Sequence, residues 1–290
     1  MRASDIVKRR WALVPLLLIL AAFILSMLCI FAGSKRGYLE EANLFTVNTS
    51  MLGRTTLDAS KSSSSILKSI KNTIQKDVNE VVSDVAKTLN IHDFYSAHIL
   101  DYCEGYYTPT PVANLTSQPS KNITHCSNQT SFFHFDPGAV IQSELKPGVN
   151  LTDLSWPSAI EDGVHAVEGA TDVMFVLYFI GAASTGAALT AALVGVRDVW
   201  RYSAITCLVL SSLAFGSLLL ASSIATILIG KVVKAINEHG NDIGVYAYKG
   251  ETFIGMTWAA TLLVLVTGFM YSYEFLRERR GLGKSGGDFE

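Results

Sequence analysis

Four long apolar runs dominate the pattern of hydrophobic and polar positions along the chain. Each is 22 to 27 residues long and holds at most one charged side chain; the runs are residues 11–32, 173–196, 203–229 and 253–276. About 20 such residues cross the hydrocarbon core of a bilayer as a helix. Helices of that length in a soluble protein need a polar face, which these runs lack. The pattern therefore predicts a mainly α membrane protein with four transmembrane helices.

The first apolar run also fits a cleaved signal peptide, because basic residues precede it and residues 31–34 loosely resemble a cleavage site. The hydrophobic region of a signal peptide, however, has only about 7–15 residues. The 22 residues of this run favour a retained span.

Basic residues flank the spans in three segments, residues 1–10, 197–202 and 277–290. Those nearest the spans are Lys8, Arg9, Arg10, Arg197, Arg201, Arg277, Arg279 and Arg280. An excess of Lys and Arg marks the cytoplasmic side of a membrane protein, so we expect both termini in the cytoplasm. The same side chains would attract anionic lipids of the inner leaflet, although their orienting role alone also accounts for them.

Residues 33–172 and 230–252 are then the outer segments. The first contains all five N-glycosylation sequons, at Asn48, Asn114, Asn122, Asn128 and Asn150. Because N-glycosylation is a modification of secreted and lumenal segments, sequons and basic residues agree on the topology. The first outer segment is also acidic, with 15 Asp and Glu against 10 Lys and Arg over residues 33–171.

The four cysteines divide between the spans and the first outer segment. Cys29 and Cys207 lie within spans, whereas Cys103 and Cys126 lie in the segment that carries the sequons. Only the second pair meets an oxidising environment, so we predict a Cys103–Cys126 disulfide, with two free thiols as the alternative. The 22 residues between them are rich in Pro, Thr, Ser and Asn, which is typical of an exposed loop.

Shorter elements are predicted within the outer segments. Residues 44–47 and 243–250 are typical of strands, and we expect them to join a small sheet. Residues 60–89 have an apolar stripe at helical spacing, which either packs on its own domain or binds a partner. Residues 156–170 predict a short amphipathic helix leading into the second span.

Small residues recur at four-residue spacing in the second and third spans, from Gly181 to Ala192 and from Ser212 to Ala221. Such spacing lets helices approach closely. Packing within one chain and association of two copies explain it equally well, so a homo-oligomer stays open.

No pattern in the chain points to catalysis, a cofactor or nucleic-acid binding. Residues 281–287 echo a phosphate-binding loop, but Glu278 stands where that motif needs glycine. All six histidines lie in the outer segments without metal-ligand spacing, so we predict no metal site, a response to external pH being the alternative. Charged groups are also missing from the middle of every span, whereas ion transport usually needs them. We therefore predict a protein that is not an enzyme.

Three motifs carry a resemblance to a known family. They are Val47 to Ser50, the run Tyr102, Cys103, Glu104, Gly105 and Tyr106, and Gly250 to Ala260 with Trp258. With four spans and a cysteine pair in a large first outer loop, the chain resembles the claudin superfamily. It more closely resembles the fungal cortical-patch (Sur-seven) and PalI family, over about residues 11–276. Claudins proper have a G-L-W triplet before the first cysteine and a closer cysteine pair, so their paracellular pore chemistry is not carried over.

The resemblance implies a claudin-like four-helix transmembrane bundle with an extracellular domain of mixed helix and small β-sheet. It implies a plasma-membrane organiser of the cortical-patch or eisosome type that contributes to cell-wall integrity, with membrane lipids and other cortical membrane proteins as partners. Two alternatives are a PalI-like accessory of ambient-pH signalling and a regulator of calcium influx during mating. PalI-type members typically have a long cytoplasmic tail, and the short segment 277–290 favours the cortical-patch branch.

Overall fold

The computed structural model describes residues 3–52, 91–108, 110, 120–147, 150–154, 156–197 and 203–285. The helices in these ranges are α1 (Ala3–Phe31), α2 (Pro137–Glu144), α3 (Ser158–His165), α4 (Glu168–Arg197), α5 (Ser203–Gly240) and α6 (Glu251–Ser285). The strands are β1 (Phe45–Asn48), β2 (Phe94–Ala97), β3 (Tyr102–Thr108), β4 (Ser120–Cys126) and β5 (Tyr246–Lys249). The helix predicted over residues 60–89, the sequon at Asn114 and the basic residue Arg201 lie outside the described residues.

The chain forms two compact units. Residues 1–30, 173–224 and 254–290 form one, which we term the helix unit. Residues 31–172 and 225–253 form the other, which we term the sheet unit. Helices α1, α4, α5 and α6 are long and apolar enough to cross a membrane, which confirms the four predicted spans.

Helix α5 continues beyond the predicted third span. The apolar run ends at residue 229, but the helix ends at Gly240, so α5 takes up nearly half of the segment 230–252 that we expected to be a loop. In this extension Val232 and Ile236 are buried, while Lys234 and Glu238 are exposed and form an ion pair of 3.5 Å. The helix continues because its pattern changes from uniformly apolar to amphipathic, and an amphipathic helix is stable wherever one face can be buried.

Small residues mark the points where helices of the helix unit approach each other. A Cβ atom added at Gly181 in α4 would lie 2.7 Å from Leu218 in α5, and one at Gly186 would lie 3.0 Å from Phe23 in α1. A larger side chain at either position would have to displace the side chain of Leu218 or Phe23. Gly181 and Gly186 therefore contribute to packing within one chain, and a homo-oligomer stays a prediction.

Buried hydroxyl groups link three helices of the helix unit. Thr257 Oγ1 in α6 lies 2.8 Å from Tyr178 Oη in α4 and 2.7 Å from Ser222 Oγ in α5. Ser222 Oγ also lies 3.2 Å from Thr261 Oγ1, whose hydroxyl donates to the Thr257 carbonyl oxygen. Polar side chains within apolar helices stabilise their packing when they bond to one another. These contacts hold α4, α5 and α6 in register.

The sheet unit contains a five-stranded antiparallel sheet in the order β4-β3-β2-β1-β5. Its centre pairs β1 with β2, Thr46 opposite Ser96, and β1 with β5, Thr46 opposite Tyr248. Strand β1 begins at Phe45, one residue after the predicted start. The sheet that we expected between the two outer segments is therefore present.

The edge strand β5 is held by a side chain of α5. Asn237 Nδ2 donates to the Ala247 carbonyl oxygen at 3.0 Å, and the Ala247 N–H donates to Asn237 Oδ1 at 2.7 Å. This amide therefore satisfies strand groups that would otherwise lack partners at the sheet edge. The extension of α5 thus contributes directly to the sheet.

The amphipathic segment predicted over residues 156–170 is not one helix. Helix α3 ends at His165, and α4 begins at Glu168. The turn between them is closed by hydrogen bonds from the Ala166 N–H to Asp162 O and from the Val167 N–H to Val164 O. The prediction of a single helix was therefore wrong, because a turn at residues 166–167 divides the segment between two helices.

Candidate functional site

The Cys103–Cys126 disulfide joins the two strands that begin and end the glycosylation-rich loop. The two residues face each other in the pairing of β3 with β4, and their sulfur atoms are 2.02 Å apart. Cys103 is fully buried in a cluster with Phe94, Tyr107 and Ile123. The bond predicted from the cysteine distribution is therefore present. In the chain-entropy model, a disulfide that closes a loop of this size stabilises the folded state by about 3 kcal/mol.

The sequon asparagines differ in exposure. Asn122, Asn128 and Asn150 are exposed. Asn48 is fully buried in β1, where its Oδ1 accepts hydrogen bonds from the Ser50 N–H at 3.0 Å and the Ser50 hydroxyl at 2.7 Å. A glycan is a bulky, hydrated group that belongs on the surface. The burial of Asn48 therefore argues against a glycan at that predicted site.

Seven of the eight basic residues predicted to meet lipid are described, and they lie at the ends of the long helices. Lys8, Arg9 and Arg10 are in the first turns of α1, and Arg197 is the last residue of α4. Arg277, Arg279 and Arg280 are in the last turns of α6. Cations at positions next to the apolar runs can reach lipid head groups. Contact of these residues with lipid stays a prediction.

Two glycines of the family motifs are required by close backbone approach. At Gly105, where the pairing of β3 with β4 shifts register, an added Cβ would lie 2.2 Å from the Asn122 carbonyl oxygen. At Gly250, between β5 and α6, it would lie 1.6 Å from the Asn43 carbonyl oxygen. The Gly250 N–H also donates to the Leu44 carbonyl oxygen at 2.9 Å. No other residue type fits these positions without displacing the backbone.

The other motif residues have different surroundings. Tyr102 packs on Phe133 and Phe135, with ring centroids 6.2 and 5.7 Å apart. Trp258 lies in α6, within the helix unit. Tyr102, Glu104 and Gly105 are together in β3, so the structure groups this part of the motif and places Trp258 in a different unit.

Glu104 belongs to a group of ionisable side chains that we term the carboxyl cluster: His92, Tyr95, Glu104 and Glu144. Glu104 in β3 pairs directly with Tyr95 in β2, His92 precedes β2, and Glu144 is the last residue of α2. Glu144 Oε2 lies 3.1 Å from His92 Nδ1 and accepts a hydrogen bond from the Tyr95 hydroxyl at 2.5 Å. Cross-strand pairing and the end of one helix thus bring the four side chains together.

The carboxyl of Glu104 is buried, and one of its two oxygens has no hydrogen-bond donor. Only 7% of the residue is accessible to solvent. Its Oε1 lies 3.1 Å from His125 Nδ1, but its Oε2 has no hydrogen-bond donor while the group is a carboxylate. A proton on Glu104 would let its carboxyl donate a hydrogen bond to the Glu144 carboxylate, which is one cause of the raised pKa of Glu104. Two carboxylates at one site repel each other, so a proton shared between them is favoured.

The pKa values of the cluster are displaced in opposite directions. Burial raises the pKa of Glu104 to about 7, and the hydrogen bond and negative charge of Glu144 act the same way. Burial would also raise the pKa of Glu144, but hydrogen bonds from His92, Tyr95 and Glu104 outweigh it and lower this pKa. Burial opposes protonation of His92, yet its bond to Glu144 and the nearby carboxylates raise its pKa. The cluster therefore exchanges protons near neutral pH.

From the sequence we identified Glu104 only as part of a motif. We did not identify His92, Tyr95 or Glu144 as members of an ionisable cluster. These residues come from a loop, two strands and a helix end, so no local spacing connects them. The spacing of the histidines in the sequence therefore could not show which ionisable side chains are close together in the folded protein.

The fold and these sites define a multi-pass membrane protein with four apolar helices and a small, disulfide-linked antiparallel sheet between helices. The chain matches the model of the SUR7/PalI family over residues 11–270, and it belongs to that family. The suspected family is thereby confirmed, together with its claudin-like four-span fold. The family is in general a non-enzymatic membrane family. No curated protein and no solved structure matches the chain.

Proposed function

We propose that this chain is a non-enzymatic plasma-membrane organiser of the fungal cortical-patch, or eisosome, type, with a part in cell-wall integrity. The observation that carries the proposal is the family match over residues 11–270. In this proposal both termini are cytoplasmic and the sheet unit faces the cell wall. Its disulfide supports that side, because disulfides persist in oxidising compartments. The exposed sequons at Asn122, Asn128 and Asn150 support the same side.

The interior of the helix unit supports a structural role. Apart from two tyrosines and two cysteines, its buried polar side chains within the described residues are serines and threonines, such as Ser222, Thr257 and Thr261. Transport of ions through a membrane usually depends on ionisable groups or broken helices. Hydroxyls that bond to each other instead fix the helices, which suits a protein that acts by packing.

The outward surface of the helix unit supplies the means of organising lipid. Leu17, Val209 and Phe269 are among its most exposed side chains, at 62%, 60% and 67%. Such a surface suits contact with lipid tails or with the spans of neighbouring proteins, including other cortical membrane proteins or a second copy. The basic helix ends would gather anionic lipids of the inner leaflet, at about 1 kcal/mol for each Lys or Arg.

Deletion of the gene tests this function. We expect the deletion strain to be sensitive to a wall-perturbing dye and to be rescued by the intact chain. A strain with normal dye tolerance and normal plasma-membrane patches would refute the organiser function.

The carboxyl cluster favours a second candidate, an accessory role in ambient-pH signalling. Glu104, with a pKa raised to about 7, exchanges protons in the range that such signalling covers. The pKa of His92 is raised by its bond to Glu144. Growth of the deletion strain at alkaline pH separates the candidates. A defect at alkaline pH without sensitivity to the dye would support the accessory role over the organiser.

A further inference from the structure

We propose that the carboxyl cluster of the sheet unit binds a divalent transition-metal ion, Zn²⁺ fitting best, through His92 Nδ1 and one carboxylate oxygen each of Glu104 and Glu144. The three ligand atoms all lie within 4.8 Å of one another. Imidazole nitrogen and carboxylate oxygen are normal ligands of Zn²⁺. This site does not depend on the function proposed above.

The spacing of the ligand atoms is close to what a bound ion requires. Two ligands at about 2.0–2.1 Å from a tetrahedral Zn²⁺ are roughly 3.3 Å apart. His92 Nδ1 and Glu144 Oε2 are already 3.1 Å apart. The widest pair of ligand atoms has to close by no more than about 1.5 Å, which side-chain rotation supplies. A fourth position remains for water or for the Tyr95 oxygen.

Glu104 provides the independent sign that a cation belongs here. Glu104 is only 7% exposed to solvent, and its buried Oε2 has no hydrogen-bond partner. A buried carboxylate with an unsatisfied oxygen beside a second carboxylate requires either a proton or a metal ion. A divalent ion would satisfy both carboxylates and the imidazole at once.

The residues around the ligands hold them in position. His125 Nδ1 bonds Glu104 Oε1 at 3.1 Å, and the Tyr95 hydroxyl bonds Glu144. The ring of Tyr106 lies against His92 with centroids 4.8 Å apart. Such outer contacts orient metal ligands and raise affinity. Glu144 is also at the C-terminal end of α2, where the helix dipole favours a positive charge.

An ion can reach the cluster from solvent. The side chains of His92 and Glu144 are 16% and 14% exposed, whereas that of Glu104 is 9% exposed. The first two therefore form the entrance, and Glu104 forms the base. The neighbouring group His98, Asp101 and Cys103 has similar spacing, but Cys103 is bonded to Cys126 and has no thiolate to offer.

Binding of the ion displaces protons. Zn²⁺ requires a neutral imidazole with its Nδ1 lone pair free and two carboxylates. Acid therefore weakens binding, because protons compete with the ion for these ligand atoms.

The test uses the full-length protein, purified in detergent with its disulfide intact and stripped of metal with a chelator. Zn²⁺ binding at pH 7.5 is measured by competition with a chromogenic chelator. We expect one saturable site per chain, and at least tenfold weaker binding in each of Glu104→Gln and Glu144→Gln. The control is His165→Gln, because His165 forms a histidine–glutamate pair with Glu168, as His92 does with Glu144, but on the exposed surface. It should bind as the intact chain does.

X-ray absorption of the bound Zn²⁺ distinguishes ligation from an indirect effect of folding. We expect a four-coordinate shell of nitrogen and oxygen near 2.0 Å with a single imidazole. If Glu104→Gln fails to fold, this spectrum of the intact chain still decides the matter. Absence of saturable binding, a shell with two or more imidazoles, or equal affinity in Glu104→Gln and the control would overturn the proposal and leave the cluster a proton-sharing pair only.

Discussion

Replacing Glu104 by Gln removes the titrating group of the carboxyl cluster and keeps an amide that can donate to Glu144. Burial raises the pKa of Glu104 from 4.5 to about 7. The folded state therefore holds a proton that the unfolded state loses between those values, so stability falls as pH rises from 4.5 through 7. One pKa unit corresponds to 1.36 kcal/mol. Allowing for coupling within the cluster, we expect a loss of about 1–3 kcal/mol in the intact chain.

The neighbouring groups define the pH window. His92 has a raised pKa, so its contribution to stability is also lost as pH rises through the folded pKa. Glu144 has a lowered pKa, and its contribution is lost only in acid. Glu104→Gln should therefore flatten the profile between pH 5 and 8 without abolishing its slope, since His92 remains.

The assay is thermal unfolding of the full-length protein in detergent with a chelator present, followed at pH 5, 6, 7 and 8. Glu238→Gln serves as the matched control, because Glu238 pairs with Lys234 on the exposed face of α5 and a lysine keeps its charge between pH 5 and 8. The control should retain the slope of the intact chain. Parallel profiles for Glu104→Gln and the intact chain would refute the burial of a titrating carboxyl at this position.

Three further predictions concern the fold. Cys103→Ser and Cys126→Ser should destabilise the protein equally, by about 3 kcal/mol, and lower its surface level in cells; normal half-life of either variant would contradict this. Gly250→Ala should reduce folded yield sharply, because the new Cβ would lie 1.6 Å from the Asn43 carbonyl oxygen, whereas Gly255→Ala, with no atom within 4 Å, should not. Substitution of each exposed sequon asparagine, Asn122, Asn128 or Asn150, should remove one step of the gel shift that a glycosidase produces. Substitution of the buried Asn48 should leave that shift unchanged.

The membrane spans could be predicted because each is specified locally. A run such as residues 173–196 needs no information from elsewhere in the chain to form a membrane helix. The end of α5 at Gly240 could not be predicted by the same rule, because its last turns are stabilised by burying Val232 and Ile236 in the sheet unit. Apolar composition therefore located the spans but did not give the length of their helices.

The sheet could be predicted only in part. Strand β1 was expected, but β2 is four residues long and buried on both faces, so it lacks the alternation that marks a strand. The disulfide followed from the compartment of its cysteines. The carboxyl cluster could not be found, because His92, Glu104 and Glu144 are brought together by strand pairing and by the position of α2, which no spacing in the sequence encodes.

The proposed organiser function is tested most directly by imaging a fluorescently tagged copy of the chain in living fungal cells. We expect static cortical patches that persist while neighbouring membrane proteins diffuse, with Gly255→Ala giving the same pattern. An even and mobile distribution around the whole plasma membrane would contradict it.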